Sequence, residues 1–435
     1  MTNHEEAFIK RIADRKAIVA IAGLGYVGLP LALSFAEVGF QVLGLDIDEE
    51  KIRKIGRRES YIGHISGERL KGSANLFSAS TDFHLAREAD ALIICVPTPL
   101  TREREPDLAF VEGTLAALLD HLRPGQLLSL ESTTYPGTTE EVLRPPIEAR
   151  GLTIGKDFFL VYSPEREDPA NPDFQTQTIP KVLGGSTESS ARVGLALYGQ
   201  VVERMVPVSS TRAAELTKLL ENIYRAVNIG LVNELKVVAS RMGLDIHEII
   251  NAAATKPFGY TPFYPGPGIG GHCIPIDPFY LTWKARGYGV HTRFIELAGE
   301  INAGMPRYVV DKISAALNDR SKPLRGSRIL LLGMAYKKNV EDMRESPSLE
   351  VLGLLAQAGA QVEYSDPHVP LMPRTRRGDF GLRSVPLTPE SLASFDAAVL
   401  LTDHRAFDKP FILKHSNLVI DTRGAFPAAP TVVKA

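Results

Sequence analysis

The 435-residue chain is poor in cysteine, with only Cys95 and Cys273, far apart. A disulfide framework would need more, and a zinc site would need ligands at closer spacing, so neither organises the fold and no metal is expected. Two free thiols fit a reducing cytoplasm. A charge excess is lacking as well: 49 Lys and Arg stand against 51 Asp and Glu, a formal net charge of -2. That balance gives no electrostatic reason to expect nucleic acid or an anionic membrane as partner. No stretch approaches the roughly 20 apolar residues of a membrane span. Met1 to Lys16 is charged and has no apolar core, so it does not read as a signal peptide. Low-complexity segments and short-period repeats are absent too. A soluble cytoplasmic protein is expected.

What is present is core: 44% hydrophobic residues with 23% charged, in a chain long enough for two or three domains. Short apolar runs at 17–22, 41–45, 91–96, 127–130 and 158–161 alternate with helical or loop segments. They lack the polar alternation of a half-exposed sheet, which predicts parallel strands covered on both faces. This first unit is expected to cover 1–208. Ser210 and Thr211 are candidate caps for a long helix over 213–242, and a helix over 245–254 follows. Leu216, Leu220, Ile223, Val227 and Leu231 fall on one face of the long helix, and Lys218, Asn222 and Arg225 on the other. A helical middle segment is expected over 209–322. Strand-helix alternation then restarts, with strands at 328–332, 361–364, 397–401 and 418–420 and a helix over 349–358, giving a second open α/β domain over 323–435.

Gly23, Gly25 and Gly28 have the GxGxxG spacing between a strand and a helix. A tight turn, backbone approach to a pyrophosphate and close helix packing each require a residue without a Cβ, and the helix N-terminus favours the phosphates. Asp46 closes the next strand at the distance suited to an adenosine ribose, and its carboxylate repels a 2′-phosphate, so NAD is favoured over NADP. Far downstream lies Gly270-Gly271-His272-Cys273-Ile274-Pro275-Ile276-Asp277. A free cysteine is usually a small buried hydrophobe, and Cys95 at a strand end fits that pattern. Cys273, in a glycine-rich loop, reads instead as a nucleophile that needs nearby positive charge to favour its thiolate, with Lys218 the candidate source. His272 reads as packing or solvent-facing. A hydride acceptor and a nucleophile in one chain would take an alcohol past the aldehyde to a carboxylate. Lys218 and Asn222 share a helix face, and Glu165 sits in Ser163-Pro164-Glu165-Arg166-Glu167-Asp168-Pro169.

With these residues in order, the chain resembles the UDP-glucose/GDP-mannose dehydrogenase family over nearly its whole length. The matching segments are GLGYVGLP, SPERE, ELTKLLENIYRA, GPGIGGHCIPIDP and GMAYKKNVEDMRESPS. The resemblance implies two Rossmann-like open parallel-sheet domains, for NAD and for the UDP-sugar, joined by a long central helix and a helical middle domain that mediates dimerisation. It also implies two successive hydride transfers from C6 of the nucleotide sugar. Between them Cys273 would capture the aldehyde as a thiohemiacetal, and the second would leave a thioester that water releases. Lys218 and Asn222 would stabilise the sugar oxyanion, Asp277 and Thr133 would position water, and Glu165 would act as acid and base. Cofactor positions implied are Gly23, Gly25, Tyr26, Val27, Gly28, Asp46, Lys51, Thr98, Thr133 and Arg344. For the substrate they are Glu165, Arg166, Lys218, Asn222, the loop from Tyr264 through Gly268 to Gly270, Tyr336, Lys337 and Arg423. Lys338 and Arg405 are expected to be merely solvated.

The sugar is read from SPEREDPAN, followed by Thr178-Ile179-Pro180-Lys181, which resembles the branch of the family that oxidises UDP-N-acetylglucosamine. UDP-N-acetylmannosamine, UDP-N-acetylgalactosamine and UDP-glucose stand as alternatives. The expected role is supply of uronic-acid sugars for a surface polysaccharide, by at least a homodimer. A simple two-electron dehydrogenase is a further option, and from a different class stands an inactive nucleotide-sugar-binding regulator, although a regulator would be expected to have lost at least one of these residues.

Overall fold

Eight strands form one sheet: β1 (Ile18–Ala22), β2 (Gln41–Leu45), β3 (Phe77–Ser80), β4 (Ala91–Ile94), β5 (Gln126–Leu130), β6 (Phe158–Tyr162), β7 (Lys181–Gly185) and β8 (Met205–Val208). Their order is β3-β2-β1-β4-β5-β6-β7-β8. Five more, β9 (Arg328–Leu332), β10 (Gln361–Ser365), β11 (Ala397–Leu400), β12 (Val419–Asp421) and β13 (Val432–Lys434), form a second sheet in the order β10-β9-β11-β12-β13. The computed structural model describes residues 3–63, 65–101, 103–166, 177–271, 274–375, 378 and 380–435. His272 and Cys273 lie outside the described residues. The chain divides into two compact units. One is Met1–Glu221 with Phe279–Val290, and the other is Asn222–Pro278 with His291–Ala435.

Alternate residues of each central strand enter different cores. Val19 and Ile21 pack with Phe35, Leu33 and Leu197, while Ala20 and Ala22 pack with Leu115, Leu118 and Ile147. In the second sheet Ile329 and Leu331 pack with Val309, Ile313 and Leu352, and Leu330 and Leu332 with Leu392 and Ile412. Both faces of both sheets are therefore covered, and this is why the strands read as continuous apolar runs. The expected strands all form, with ends displaced by at most a few residues. The parallel arrangement has one exception: β6 and β7 run antiparallel, through Val161↔Gly185 and Tyr162↔Gly184, and β8 follows β7 in direction.

The long central helix spans Thr211–Arg241, and the division between units falls within it. Ser210 caps it, accepting from the Ala213 N–H at 3.2 Å. No described helix is long and apolar enough to cross a membrane. Near the start of the central helix, Glu215 is fully buried and accepts from the Gly137 N–H at 2.5 Å, the Thr139 N–H at 2.9 Å and the Thr139 hydroxyl at 2.7 Å. Burial pushes its pKa up to about 7 against these hydrogen bonds. Truncation would strand two buried backbone donors, so Glu215→Ala is expected to lower unfolding free energy by about 2–4 kcal/mol. Urea denaturation at pH 7 checks this, and a loss below about 0.5 kcal/mol would contradict it.

Candidate active site

In the first unit, Ala22 pairs with Leu45 and Ile94, Ile94 with Leu130, and Leu130 with Tyr162. The strands thus end level, and the next residues, Gly23, Asp46, Cys95, Glu131 and Ser163, lie along one carboxyl edge. In an open α/β sheet, ligands bind along this edge where the strand order reverses, here between β1 and β4. Gly23 has φ +94°, and a Cβ there would stand 2.7 Å from the Cys95 carbonyl oxygen. At Gly28 a Cβ would meet the Gly23 oxygen at 1.8 Å, whereas at Gly25 it would meet nothing within 4 Å. Two glycines are thus required by the fold, and the third leaves open space above the turn, as backbone approach to a pyrophosphate requires. Asp46 accepts from the Leu24 N–H at 2.8 Å and from Lys51 Nζ at 3.0 Å, and the Tyr61 hydroxyl donates to Leu24 O at 2.6 Å. These residues fit a dinucleotide. Thr98 Oγ1 donates to the Thr133 carbonyl at 2.7 Å, joining the turns after β4 and β5.

Glu165 and Arg166 follow β6 in the same unit. The Arg166 N–H donates to Glu165 Oε1 at 2.5 Å, and its guanidinium bonds Pro180 O at 2.5 Å and Glu221 at 2.6 Å. Lys218, three residues before Glu221 on the central helix, is buried, and its ammonium has no hydrogen-bond or ion-pair partner among the described residues. Cys95 is buried and its thiol pKa is pushed well up by burial and then by Glu131, as a structural cysteine would be.

In the second unit, Asn222 Nδ2 donates to Asp277 Oδ2 at 2.6 Å, with both side chains buried. Tyr336 and Lys337 follow β9, and Arg423 follows β12, again at carboxyl ends. The glycine loop packs on them: a Cβ at Gly270 would lie 2.7 Å from Tyr336 Cβ, and one at Gly266 would lie 2.6 Å from Arg423 Nη1. Asn233 Oδ1 holds the loop by accepting from the Gly266 N–H at 3.0 Å. Gly268 packs against Pro347. Tyr264 turns to the helix Ile246–Ala254, donating to Asn251 Oδ1 at 2.8 Å and stacking on His247. Arg344 belongs to this unit and forms a bidentate pair with Asp342, while its carbonyl accepts from the Gly271 N–H. Lys338 and Arg405 are exposed, as expected.

Three family models match in succession: the NAD binding domain of the UDP-glucose/GDP-mannose dehydrogenase family over residues 17–202, its central domain over 212–304 and its UDP binding domain over 330–428. The chain belongs to the UDP-glucose/GDP-mannose dehydrogenase family. It is an NAD-dependent oxidoreductase acting on CH–OH groups. Among similar proteins, UDP-N-acetyl-D-glucosamine 6-dehydrogenase of Pseudomonas aeruginosa is 34% identical, covering 89% of this chain and 91% of its own. UDP-N-acetyl-D-mannosamine dehydrogenase of Escherichia coli K12 is 33% identical over 94% and 99%. Among solved structures, a UDP-D-ManNAc dehydrogenase from Pyrococcus horikoshii superposes with a TM-score of 0.85 at 32% identity, covering 95% and 97%.

Glu215 and Glu221 lie in ELTKLLENIYRA and Lys181 ends Thr178-Ile179-Pro180-Lys181, though nothing in those segments singles them out, and two further polar residues near these loops, Glu131 and Lys236, carry no sequence motif. Their only sequence signal is a charged residue at the edge of an apolar segment. Lys236 of the central helix is 5% exposed, and its Nζ donates to Thr422 O at 3.3 Å, next to Arg423. Burial, with Arg423 adding to it, pushes its pKa down to about 7 from the usual 10.5. Below about pH 7 both folded and unfolded chains hold the proton, and the fold carries the full cost of a desolvated charge. Between about 7 and 10.5 the unfolded chain binds more protons, so stability rises with pH, and above that range the cost is gone. Lys236→Met should therefore stabilise the protein at pH 6 by a few kcal/mol, with the gain vanishing by pH 10.5. Urea unfolding of both proteins at the two pH values measures this. A gain that grew with pH would refute it.

Proposed function

We propose that the protein oxidises C6 of a UDP-N-acetylhexosamine, UDP-N-acetylglucosamine foremost, through four electrons to the uronate. The observation that carries this reading is the helix face that presents Lys218, without a partner among the described residues, and, one turn later, Asn222 bound to Asp277. A buried ammonium beside an amide is suited to an alkoxide or oxyanion. Bound NAD supplies the hydride acceptor. Asp46 and Lys51 would hold the adenosine end, with the backbone of Gly23 to Gly28 at the phosphates and Thr98 and Thr133 at the nicotinamide side. Arg344 is the remaining cofactor position. Lys337 and Arg423 would meet the diphosphate and sugar oxygens: Arg423 Nε donates to Leu401 O, and its guanidinium has no ion pair among the described residues. Tyr264, Gly268, Gly270 and Tyr336 would shape the sugar pocket, with Glu165 and Arg166 facing the reacting end. Cys273 would take the aldehyde as a thiohemiacetal and hold the acyl group as a thioester. Thr133 and Asp277 would orient water, and Glu165 would remove its proton.

The N-acetylhexosamine reading rests on the Ser163–Arg166 and Thr178–Lys181 segments and on relatives named for UDP-N-acetylglucosamine and UDP-N-acetylmannosamine. The division into 1–208, 209–322 and 323–435 is supported by the succession of the three family models. A reaction drawing on NAD and a nucleotide sugar suits the cytoplasm and the supply of a surface polysaccharide. NADH yield at completion tests the reading, with the UDP derivatives of N-acetylglucosamine, N-acetylmannosamine, N-acetylgalactosamine and glucose in parallel. Two NADH per UDP-N-acetylglucosamine are expected, and a preference for UDP-glucose would overturn the branch assignment. Cys273→Ser should lower carboxylate formation by at least about 100-fold; carboxylate at the wild-type rate would rule out covalent capture.

The protein is also proposed to be at least a homodimer. Leu220, Tyr224, Leu231, Leu235 and Val238 of the central helix, and Met242 just past its end, are exposed in the single chain, an apolar stripe that a second copy would cover. Leu231→Arg, at a 52% exposed position, should shift the mass toward monomer in sedimentation equilibrium without loss of secondary structure. An unchanged mass would count against this interface.

A further inference from the structure

The single reversal in the large sheet has a chemical result. Because β7 runs antiparallel to β6, its first residue, Lys181, starts at the carboxyl edge of the sheet, where a parallel strand would have placed its last. Lys181 is 5% exposed, and its Nζ lies 2.7 Å from the carboxylate of Glu131, the residue that follows β5 and is itself 2% exposed. The same ammonium donates to the carbonyl of Pro164, immediately before Glu165, at 3.3 Å. Two more bonds join these segments: Ser163 Oγ donates to Val182 O at 2.9 Å, and Arg166 Nη1 donates to Pro180 O at 2.5 Å. The Lys181 ammonium also lies over the Tyr198 ring at 5.1 Å, and the Tyr198 hydroxyl bonds Ser129 at 2.8 Å. Residues 163–166 are thus stitched to 180–182 on both sides of Glu165, with the buried ion pair beneath.

A buried ion pair contributes little net stability, because desolvating two charges roughly cancels their attraction. Glu131 and Lys181 are therefore poorly explained as a brace for the fold alone. Burial works against the Lys181 charge, but Glu131 and then Glu165 more than restore it, so its pKa stands above the ordinary lysine value and it stays charged. A fixed positive charge coupled to Glu165 and bonded to the preceding carbonyl would set where that carboxylate stands.

We propose that Glu131 and Lys181 are positioning residues that hold Glu165 for hydrolysis of the acyl-enzyme. The proposal rests on the role given above to Glu165. In that step a water oxygen bonds to the thioester carbon and one water proton passes to Glu165. The C–S bond breaks with its electron pair leaving on the sulfur as thiolate, and the new carboxylic acid loses its remaining proton to solvent. A misplaced Glu165 would slow this step and leave both preceding hydride transfers intact.

The test is the double variant Glu131→Leu with Lys181→Met, which removes both buried charges together, beside Glu165→Gln and the wild type. Each is mixed with saturating NAD and UDP-N-acetylglucosamine, NADH is followed by stopped flow, and acid-quenched enzyme is weighed by mass spectrometry. The double variant is expected to release two NADH per active site in a burst, to accumulate acyl-enzyme, and to turn over at least about tenfold more slowly, as Glu165→Gln does. A merely structural role would slow the burst as well. If Glu165→Gln accumulates acyl-enzyme and the double variant does not, the positioning role is overturned and the role of Glu165 stands. If Glu165→Gln accumulates none, both fall. Should the double variant fail to fold, the near-isosteric Glu131→Gln carries the same test with the same outcomes.

Discussion

The level ending of parallel strands is the constraint on which the rest of this structure depends. Hydrogen bonding in register brings Ala22, Leu45, Ile94, Leu130 and Tyr162 to one line, and the chain must leave the sheet there at every strand. Residues just past that line cannot join the ladder and are too close to the core to be freely solvated. They are therefore glycine, a small thiol, or polar groups bonded to neighbouring turns, as Asp46 is to Leu24 and Thr98 to Thr133. The chemistry gathers where the backbone runs out of partners.

The two units solve the same problem with the same part and use it differently. Asp46 closes β2 and accepts from the Leu24 N–H in the turn after β1, while Asp366 follows β10 and accepts from the Met334 and Ala335 N–H groups after β9. Asp366 goes on to bond buried His404 and the N–H groups of His368 and Val369, and hydrogen bonds from these neighbours hold its pKa low against burial. It is consumed by the fold. Asp46 keeps a part-exposed lysine as its ion partner, and the glycine beside it, Gly25, leaves open space. One Rossmann-like half keeps an open turn beside its aspartate, and in the other the residues at strand ends, Tyr336, Lys337 and Arg423, are the ones proposed to meet the ligand.

Much of this was legible in the sequence because it follows from local periodicity or fixed spacing. The apolar runs announced β1, β2, β4, β5, β6 and the central strands of the second sheet. The glycine spacing announced the turn after β1, and Lys218 and Asn222 were placed on one helix face by a spacing of four. What could not be read depends on pairing between distant segments. The strands β7 and β8 carry poor strand formers, Gly184 and Gly185 in one and Pro207 in the other, so their presence and reversed direction follow from neighbours, not from their own pattern. The Glu131–Lys181 pair spans 50 residues, and nothing in either segment announces the other. The helix Arg293–Asn318 carries Pro306 inside it, a residue that argues locally against helix, yet Val309, Val310 and Ile313 bury in the second core and hold it.

The central helix departs from the usual distribution of a surface helix, burying several polar residues beside Leu219, Ile223 and Val232 while exposing large apolar ones, and the departure is itself an argument about its role. Lys218, Asn222, Asn233 and Lys236 are buried along it, while Leu220, Tyr224, Leu231 and Leu235 are exposed. A helix selected only to support a domain would turn the leucines inward, since each buried leucine is worth about 1.5–3 kcal/mol and each poorly partnered buried lysine costs stability. Asn233 is fully used, bonding Gly266 and Asn302, and so acts as a fastener for the glycine loop. Lys218 has no such use among the described residues, and Lys236 has a single long hydrogen bond. In the proposed reading that cost is offset on one face by a ligand that needs positive charge and on the other by a second copy that would cover the apolar surface. The helix thus carries both the residues proposed for chemistry and the surface proposed for assembly.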